Sequence, residues 1–207
     1  VADSGIDFTK VDRMRAGVIV GSGIGGIEVM EQEYDKLLAR GVERVSPLTV
    51  PKLMVNAAAG NLSIQFGLKG IVSATATACA TSGNAIADAF RTIQYDDADV
   101  MLAGGSEAAM TKLGLAAFCA LQALSKRNDA PAKASRPFDK DRDGFVISEG
   151  SGILVLEELE HAKARGARIY AELLGAGATG DACHIVAPDE NGSGATEAMA
   201  KALRDGK

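Results

Sequence analysis

Short apolar runs alternate along the chain with segments in which apolar residues recur at three- and four-residue intervals. The run 17–21 is bounded by glycines, which predicts a strand buried on both faces. Further strands are predicted over 71–76, 99–104, 153–156 and 169–176, with the late strands paired. Helices are predicted from Val29 to Gly41, from Val55 to Leu68, after Cys79 and from Glu158 to Arg165. This order predicts an α/β protein.

The composition is typical of a globular protein. With 207 residues, 47% of them apolar and 24% charged, the chain suits one domain or a tightly joined pair, and disorder is disfavoured. A net charge of −5 argues against nonspecific binding of nucleic acid, which needs a basic field. No stretch approaches the roughly 20 apolar residues of a membrane span, and the start lacks the order of a secretory signal. We therefore expect a cytoplasmic protein.

The three cysteines are Cys79, Cys119 and Cys183. Their odd number does not suit a disulfide framework, and their wide separation does not suit the close pairs of a zinc site. No metal is therefore predicted, and each residue is considered as a single thiol. Cys119 lies among apolar residues, which predicts a small buried side chain.

A glycine turn at 21–26 follows the first predicted strand and precedes a helix. Such a turn can hold the phosphates of a dinucleotide at the helix N-terminus. The acidic ribose ligand would fall about 20 residues later, and that distance reaches the Ser46–Pro47 loop instead of the tip of a second strand. The pattern favours a plain tight turn whose glycines permit close packing. The polar segment Ser125–Gly144 predicts a long loop, and long ordered loops usually serve a function.

The segment Thr75–Gly83 predicts a sharp turn from a strand into a helix that begins near Cys79. A thiol at this place lies at the positive end of the helix dipole, which favours the thiolate, and neighbouring backbone N–H groups can stabilise an oxyanion. The small neighbouring residues leave room for an acyl group. The residues alone leave two interpretations open, namely an acylated nucleophile and a buried structural cysteine.

Several motifs, in order along the chain, resemble those of the elongating, type II β-ketoacyl-[acyl-carrier-protein] synthases. Together they span essentially all 207 residues, and their order and spacing are more specific than any one glycine pattern. The motifs are ATAC at 76–79, GGSE at 104–107, ALS at 123–125, SRPFD at 135–139, DGFV at 143–146 and DACH at 181–184.

The resemblance implies an α/β thiolase-like fold, in which two similar halves stack as α-β-α-β-α layers. Residues 1–207 would form most of the N-terminal half and the start of the second half, with the N-terminal start and the C-terminal half of the protein missing. Two catalytic histidines and a glycine-rich loop with a gating Phe, which supplies the second oxyanion donor, would then lie beyond Lys207.

The reaction implied by the resemblance is a decarboxylative Claisen condensation in fatty-acid elongation. Cys79 would accept the acyl chain from acyl carrier protein as a thioester, and the carbanion of decarboxylated malonyl-carrier protein would attack that thioester. No cofactor is implied, because the pantetheine arm arrives on the carrier protein. The whole enzyme would be a cytoplasmic homodimer. A polyketide ketosynthase and a non-catalytic scaffold or dimerisation module are the alternatives.

The resemblance assigns substrate-binding roles to Gly23, Ile24, Met54, Phe118 and Phe145. Met54 matches a position that reaches across the dimer interface. Ordinary core packing is the alternative interpretation for Ile24, Met54 and Phe118.

Docking of the acidic carrier protein would need a basic surface. The candidates are Arg44, Lys126 and Arg127, which could also be ordinary solvated charges. The chain departs from the family pattern at Gln122, where bacterial relatives often carry Arg, and at Val186, which replaces a Thr thought to contact pantetheine. These departures leave the docking surface the least secure of the implied sites.

Four polar residues are expected to have roles that are not catalytic. Glu107 and Asp143 resemble framework residues that hold backbone N–H groups or cations. His184 matches a family position near the mouth of the active site and is expected to order its loop. His161 is expected to be a solvated helix residue.

Overall fold

A four-stranded sheet forms the centre of the structure, a computed structural model that describes residues 1–207. Its strands are β1 (Ala16–Gly21), β2 (Val72–Ser73), β3 (Val100–Glu107) and β4 (Gly150–Glu157). They lie in the order β2-β1-β3-β4. Strand β1 runs parallel to β2 and β3, whereas β4 runs antiparallel to β3.

The α-helices are α1 (Ile27–Arg40), α2 (Thr49–Leu53), α3 (Ala57–Phe66), α4 (Thr81–Gln94), α5 (Lys112–Ala120), α6 (Leu159–Ala164) and α7 (Ser193–Asp205). Short 3-10 helices lie at Arg13–Arg15, Val42–Arg44, Ala78–Ala80 and Pro131–Lys133. None of the helices combines the length and the apolar character needed to cross a bilayer.

The alternation of side chains along β1 divides the core into two layers. Val18 and Val20 pack with Ala59 of α3 in one cluster. Ile19 packs with Ala85 of α4 in the other. Strand β3 repeats this division, with Val100 and Leu102 in the first cluster and Met101 and Ala103 in the second. Because helices cover both faces of the sheet, β1 and residues 100–105 of β3 are apolar and show no alternation with polar residues.

The hydrophobic pattern predicted most of these elements. The predicted strands at 17–21, 99–104 and 153–156 correspond to β1, β3 and β4. Gly41 and Gly67 end helices α1 and α3 with φ angles of +80° and +67°, as expected of glycines at helix C-termini. The segment 125–144 is a loop that contains only one short 3-10 helix.

The strand predicted over 71–76 is much shorter in the structure. It pairs with β1 only at Val72 and Ser73. Beyond these residues the chain turns toward α4, and the hydroxyl group of Thr75 donates a hydrogen bond to the carbonyl oxygen of Thr81 at 2.9 Å. The sharp turn that follows therefore limits the length of this edge strand.

The strand predicted over 169–176 is wrong, and so is the pairing of the late strands. Strand β4 pairs with β3, and residues 169–176 join no sheet. This segment lies against α7, where the backbone N–H of Ala176 donates to the Asp205 carboxylate at 2.8 Å. A Cβ at Gly175 would collide with the carbonyl oxygen of Ala202. The backbone groups inside a helix are already hydrogen-bonded and cannot pair with a strand, so residues 169–176 stay outside the sheet.

Replacement of Met101 tests the second core layer, because Met101 lies in β3 with 0% of its surface exposed. We expect Met101→Ala to lower the free energy of unfolding by about 2–5 kcal/mol, because it removes buried groups and leaves a cavity. Met110→Ala is the matched control, since Met110 is 56% exposed. Its expected effect is within about 0.5 kcal/mol. Urea denaturation measures both, and equal effects would contradict the described core.

Candidate active site

The carboxyl ends of β1 and β3 meet the start of α4 at one edge of the sheet. Gly21 of β1 pairs with Gly105 of β3. A Cβ at Gly21 would collide with the methyl group of Thr81, and a Cβ at Gly105 would collide with the hydroxyl group of Ser82. The two glycines therefore allow the first turn of α4 to lie directly against the sheet.

Cys79 lies in the 3-10 helix Ala78–Ala80, which leads directly into the 14-residue helix α4. Ala78 has a φ angle of +50°, a left-handed conformation that is costly for a residue with a Cβ. The carbonyl oxygen of Thr77 closes the turn by accepting a hydrogen bond from the N–H of Ala80 at 3.1 Å. Cys79 is exposed. The interpretation of Cys79 as a buried structural residue is therefore wrong.

The glycine turn beside Cys79 is held by the carboxylate of Glu107 at the end of β3. One oxygen of Glu107 accepts a hydrogen bond from the Ser22 hydroxyl group at 2.9 Å, and the other accepts one from the Gly23 N–H at 2.6 Å. The Ser22 hydroxyl oxygen in turn accepts a bond from the Gly25 N–H at 2.8 Å. Glu107 thus holds backbone groups, as predicted, and both its oxygens are occupied.

A cavity of about 370 Å³ lies between this turn and the segment that joins α2 to α3. Met54 lines it together with Glu107, Glu149 and small residues of the glycine turn. The other predicted substrate-binding residues and Cys79 do not line this cavity. Gly23 lies instead beside the cysteine turn, where a Cβ added to it would be 3.9 Å from the Cα of Ala78.

The apolar candidates for the acyl pocket differ in exposure. Ile24 is 44% exposed, Met54 42% and Phe145 64%, whereas Phe118 is half-buried. Core packing therefore does not account for Ile24 or Met54. Their role in binding an acyl chain stays a prediction, because exposure alone does not test it.

The backbone of Phe145 is fixed by a loop that the Asp143 carboxylate fastens. Asp143 accepts hydrogen bonds from the Ser125 hydroxyl group at 2.6 Å and from the Lys126 N–H at 3.0 Å. The N–H of Phe145 donates to the carbonyl oxygen of Ala123 at 2.8 Å. The hydrogen bond from Ser125, and then that from Lys126, lowers the pKa of Asp143. Asp143 is a framework residue, as predicted.

Comparison with known proteins identifies the family. The family model described as "Beta-ketoacyl synthase, N-terminal domain" matches residues 1–162. The chain belongs to the β-ketoacyl synthase family. It is 55% identical over 203 residues to the 3-oxoacyl-[acyl-carrier-protein] synthase 2 of Vibrio cholerae, covering 98% of this chain and 49% of that protein. The protein of the same name from Synechocystis is 51% identical over 205 residues, with 99% and 49% covered.

Solved ketosynthase structures share the fold of this β-ketoacyl synthase chain. A β-ketoacyl synthase from Burkholderia phymatum matches with a TM-score of 0.87 and 37% identity, over 99% of this chain and 49% of that one. The ketosynthase of a type II polyketide system, AntDE:AntF, matches with a TM-score of 0.93 and 34% identity, over 97% and 51%. The predicted thiolase-like fold is confirmed. The chain spans about half the length of the curated relatives that it matches.

The three candidate docking residues of this synthase chain do not share one environment. Arg44 ends the 3-10 helix Val42–Arg44 and is exposed, as is Lys126. Arg127 is half-buried, and its guanidinium group donates to the carbonyl oxygen of Asp141 at 3.0 Å. Its Nε atom is buried without a hydrogen-bond partner. Arg44 and Lys126 are therefore freer than Arg127 to meet a partner.

Both histidines have structural contacts. The Nδ1 atom of His184 accepts hydrogen bonds from the N–H groups of Val186 and Ala187 at 3.0 and 2.8 Å, in agreement with its predicted loop-ordering role. His161 is not merely solvated, because its Nδ1 atom lies 2.6 Å from the nearly buried carboxylate of Glu157. Burial raises the pKa of Glu157, but hydrogen bonds from Arg165 and His161 outweigh burial, and the pKa is lowered.

The roles of two residues of the site, Ser22 and Gly105, were not predicted from the sequence. Ser22 links Glu107 to the glycine turn, and Gly105 admits the start of α4. A hydroxyl side chain inside a run of glycines can form hydrogen bonds with nearby backbone groups. This signal could have indicated the role of Ser22. Cys119, predicted to be buried, is exposed because α5 buries only Gly114.

Asp143 gives a pH-dependent prediction. Because its pKa is lowered on folding, its hydrogen bonds stabilise the loop above the ordinary pKa of aspartate. That contribution is lost as the pH falls through the lowered pKa. We therefore expect Asp143→Asn to be less stable than the unaltered chain at neutral pH and equally stable in strong acid. Urea denaturation across this range measures the difference. Asp129→Asn, at an exposed aspartate of the same loop, is the control and should show no such dependence.

Proposed function

We propose that this chain is part of a 3-oxoacyl-[acyl-carrier-protein] synthase that elongates fatty acids. The observation that carries the proposal is the exposed Cys79 on a left-handed turn at the start of α4. The same turn lies in a chain whose curated relatives bear that name at about half identity. A surface cysteine with no function would not need a costly backbone conformation to present it.

The first step is transfer of the acyl chain to the protein. The Cys79 thiolate attacks the carbonyl carbon of the acyl thioester, a new C–S bond forms, and the pantetheine sulfur leaves. Negative charge develops on the carbonyl oxygen, and backbone N–H groups at the start of α4 are suited to receive it. The Gly23 turn, fixed by Glu107, lies beside this position.

The second step forms the carbon–carbon bond. Malonyl-carrier protein loses carbon dioxide, and the electrons of the broken bond remain on the substrate as an enolate. Its carbon attacks the thioester carbonyl, and the Cys79 sulfur leaves as thiolate. A thiolate both attacks and departs readily, which suits cysteine better than serine.

The partner of this reaction is acyl carrier protein, which delivers its substrate on a pantetheine arm, so the protein needs no cofactor of its own. One ketosynthase with a similar structure is described in complex with its acyl-carrier protein. Arg44 and Lys126 are exposed cations that an acidic carrier could meet. We further propose that the whole enzyme is a homodimer located in the cytoplasm.

A polyketide ketosynthase is the second candidate, because the structural match to a type II polyketide ketosynthase has a TM-score of 0.93. The chemistry would be the same and the acyl pocket different. Sequence identity favours fatty-acid elongation, since it is 55% to a 3-oxoacyl-[acyl-carrier-protein] synthase 2 and 34% to the polyketide protein.

Replacement of Cys79 tests the proposal that this residue is the acylated nucleophile of an enzyme. We expect acyl transfer from acyl-carrier protein to be lost in Cys79→Ala, because no other thiol lies at the start of α4. Cys119→Ala and Cys183→Ala are matched controls, since both cysteines are also exposed, and should retain the transfer. Mass spectrometry of the digested protein locates the acyl group.

Equal acylation of all three cysteines, or acylation that survives in Cys79→Ala, would contradict the proposal. Circular dichroism first establishes that each variant is folded. A folded chain that takes no acyl group would favour a non-catalytic scaffold.

Charge reversal tests the docking surface. Arg44→Glu is expected to weaken binding of acyl carrier protein a few-fold, mainly through slower association, because exposed charges steer encounter. The effect should shrink as salt is added. Lys10→Glu makes the same charge change at a lysine that is 82% exposed and has no assigned docking role. Equal weakening by both variants, measured by surface plasmon resonance, would show a general charge effect and contradict docking at Arg44.

A further inference from the structure

Thr81 differs from its neighbours around the cysteine turn. Among residues 75–84 it is the only buried one, with 5% of its surface exposed. It is the first residue of α4, and its methyl group occupies the space that a side chain at Gly21 would need. Packing against β1 therefore fixes Thr81 to the sheet.

Thr81 also makes the hydrogen bonds that hold both sides of the turn. Its hydroxyl oxygen accepts a bond from the N–H of Thr77 at 2.8 Å. Its carbonyl oxygen accepts a bond from the Thr75 hydroxyl group at 2.9 Å. Ala78 and Cys79 lie between the residues that these bonds join, so the path of the turn is set by a residue that belongs to the helix.

We propose that Thr81 is a positioning residue for Cys79. A left-handed alanine persists only where its surroundings determine the backbone. Here the bond from the Thr77 N–H to the Thr81 hydroxyl does so, together with the bond from the Ala80 N–H to the Thr77 carbonyl oxygen. Without that acceptor the Thr77 N–H loses its partner, and the chain gains by relaxing the φ angle of Ala78. Cys79 then leaves its place at the start of α4.

The importance of this position for catalysis depends on the proposed function, but the geometry can be tested without it. The test uses Thr81→Val, which keeps the methyl group and removes the acceptor, and Thr81→Ser, which keeps the acceptor and removes the methyl group. Thr92→Val is the matched control, because Thr92 is a buried threonine of the same helix whose hydroxyl group donates only to the carbonyl oxygen of Asp88.

Two readouts are measured in the 207-residue chain. Alkylation by iodoacetamide, followed by mass spectrometry, gives the rate at Cys79 with Cys119 and Cys183 as internal references. Hydrogen exchange gives the protection of the Thr77 amide. Thr81→Val should slow alkylation of Cys79 on the order of tenfold and remove the protection of Thr77, because the sulfur is no longer fixed at the helix start. Thr81→Ser and Thr92→Val should leave both readouts close to those of the unaltered chain.

Three results would overturn the proposal. In the first, Thr81→Val alkylates and exchanges like the unaltered chain. In the second, Thr81→Ser is as slow as Thr81→Val, which would assign the effect to packing of the methyl group. In the third, all three cysteines and the amides of β3 change together in Thr81→Val, which would indicate a loosened fold. Absence of acyl transfer to Cys79 in the unaltered chain would count against the proposed function and would leave both readouts intact.

Discussion

The candidate active site depends on one close approach, that of the start of α4 to the carboxyl ends of β1 and β3. Gly21 and Gly105 are paired across these strands, and each lacks the side chain that would keep the helix away. The helix fills the gap with Thr81 and Ser82. The chain reaches this narrow space from β2 through a left-handed turn at Ala78, and Cys79 on that turn is exposed. The exposed sulfur thus lies directly beside a densely packed contact.

Carboxylates around the site hold the backbone. Glu107 holds the glycine turn, and Asp143 holds the loop that carries Phe145. At the opposite end of the sheet, the carboxylate of Glu157 in β4 pairs with the side chains of Arg165 and His161. In each case the negative charge compensates N–H or guanidinium groups that would otherwise lack partners, which is the reason that these residues order loops and helix ends. The groups that residues 1–207 contribute to the proposed acyl chemistry are therefore the Cys79 thiol and backbone N–H groups.

The two core layers explain how a protein with few aromatic residues is packed. Alanines on α3 and α4 bring the helices close to the sheet, and the β-branched and long side chains of β1 and β3 fill both sides. This packing leaves little freedom in the positions of β1, β3 and α4. The cysteine turn and the glycine turn are both attached to these elements, so their separation is determined by the core.

Elements whose causes are local could be predicted from the order of the residues alone. Periodicity indicated β1, β3, β4 and the main helices, glycines marked the ends of α1 and α3, and the small residues around Cys79 indicated the sharp turn. The remaining features depend on partners that are distant in the chain, so they are defined only when the chain is packed. Residues 169–176 have the composition of a strand but meet α7, and Cys119 has apolar neighbours but no element to cover it. The contacts of Ser22, Thr81 and Glu107 likewise join residues whose proximity only the packed sheet creates.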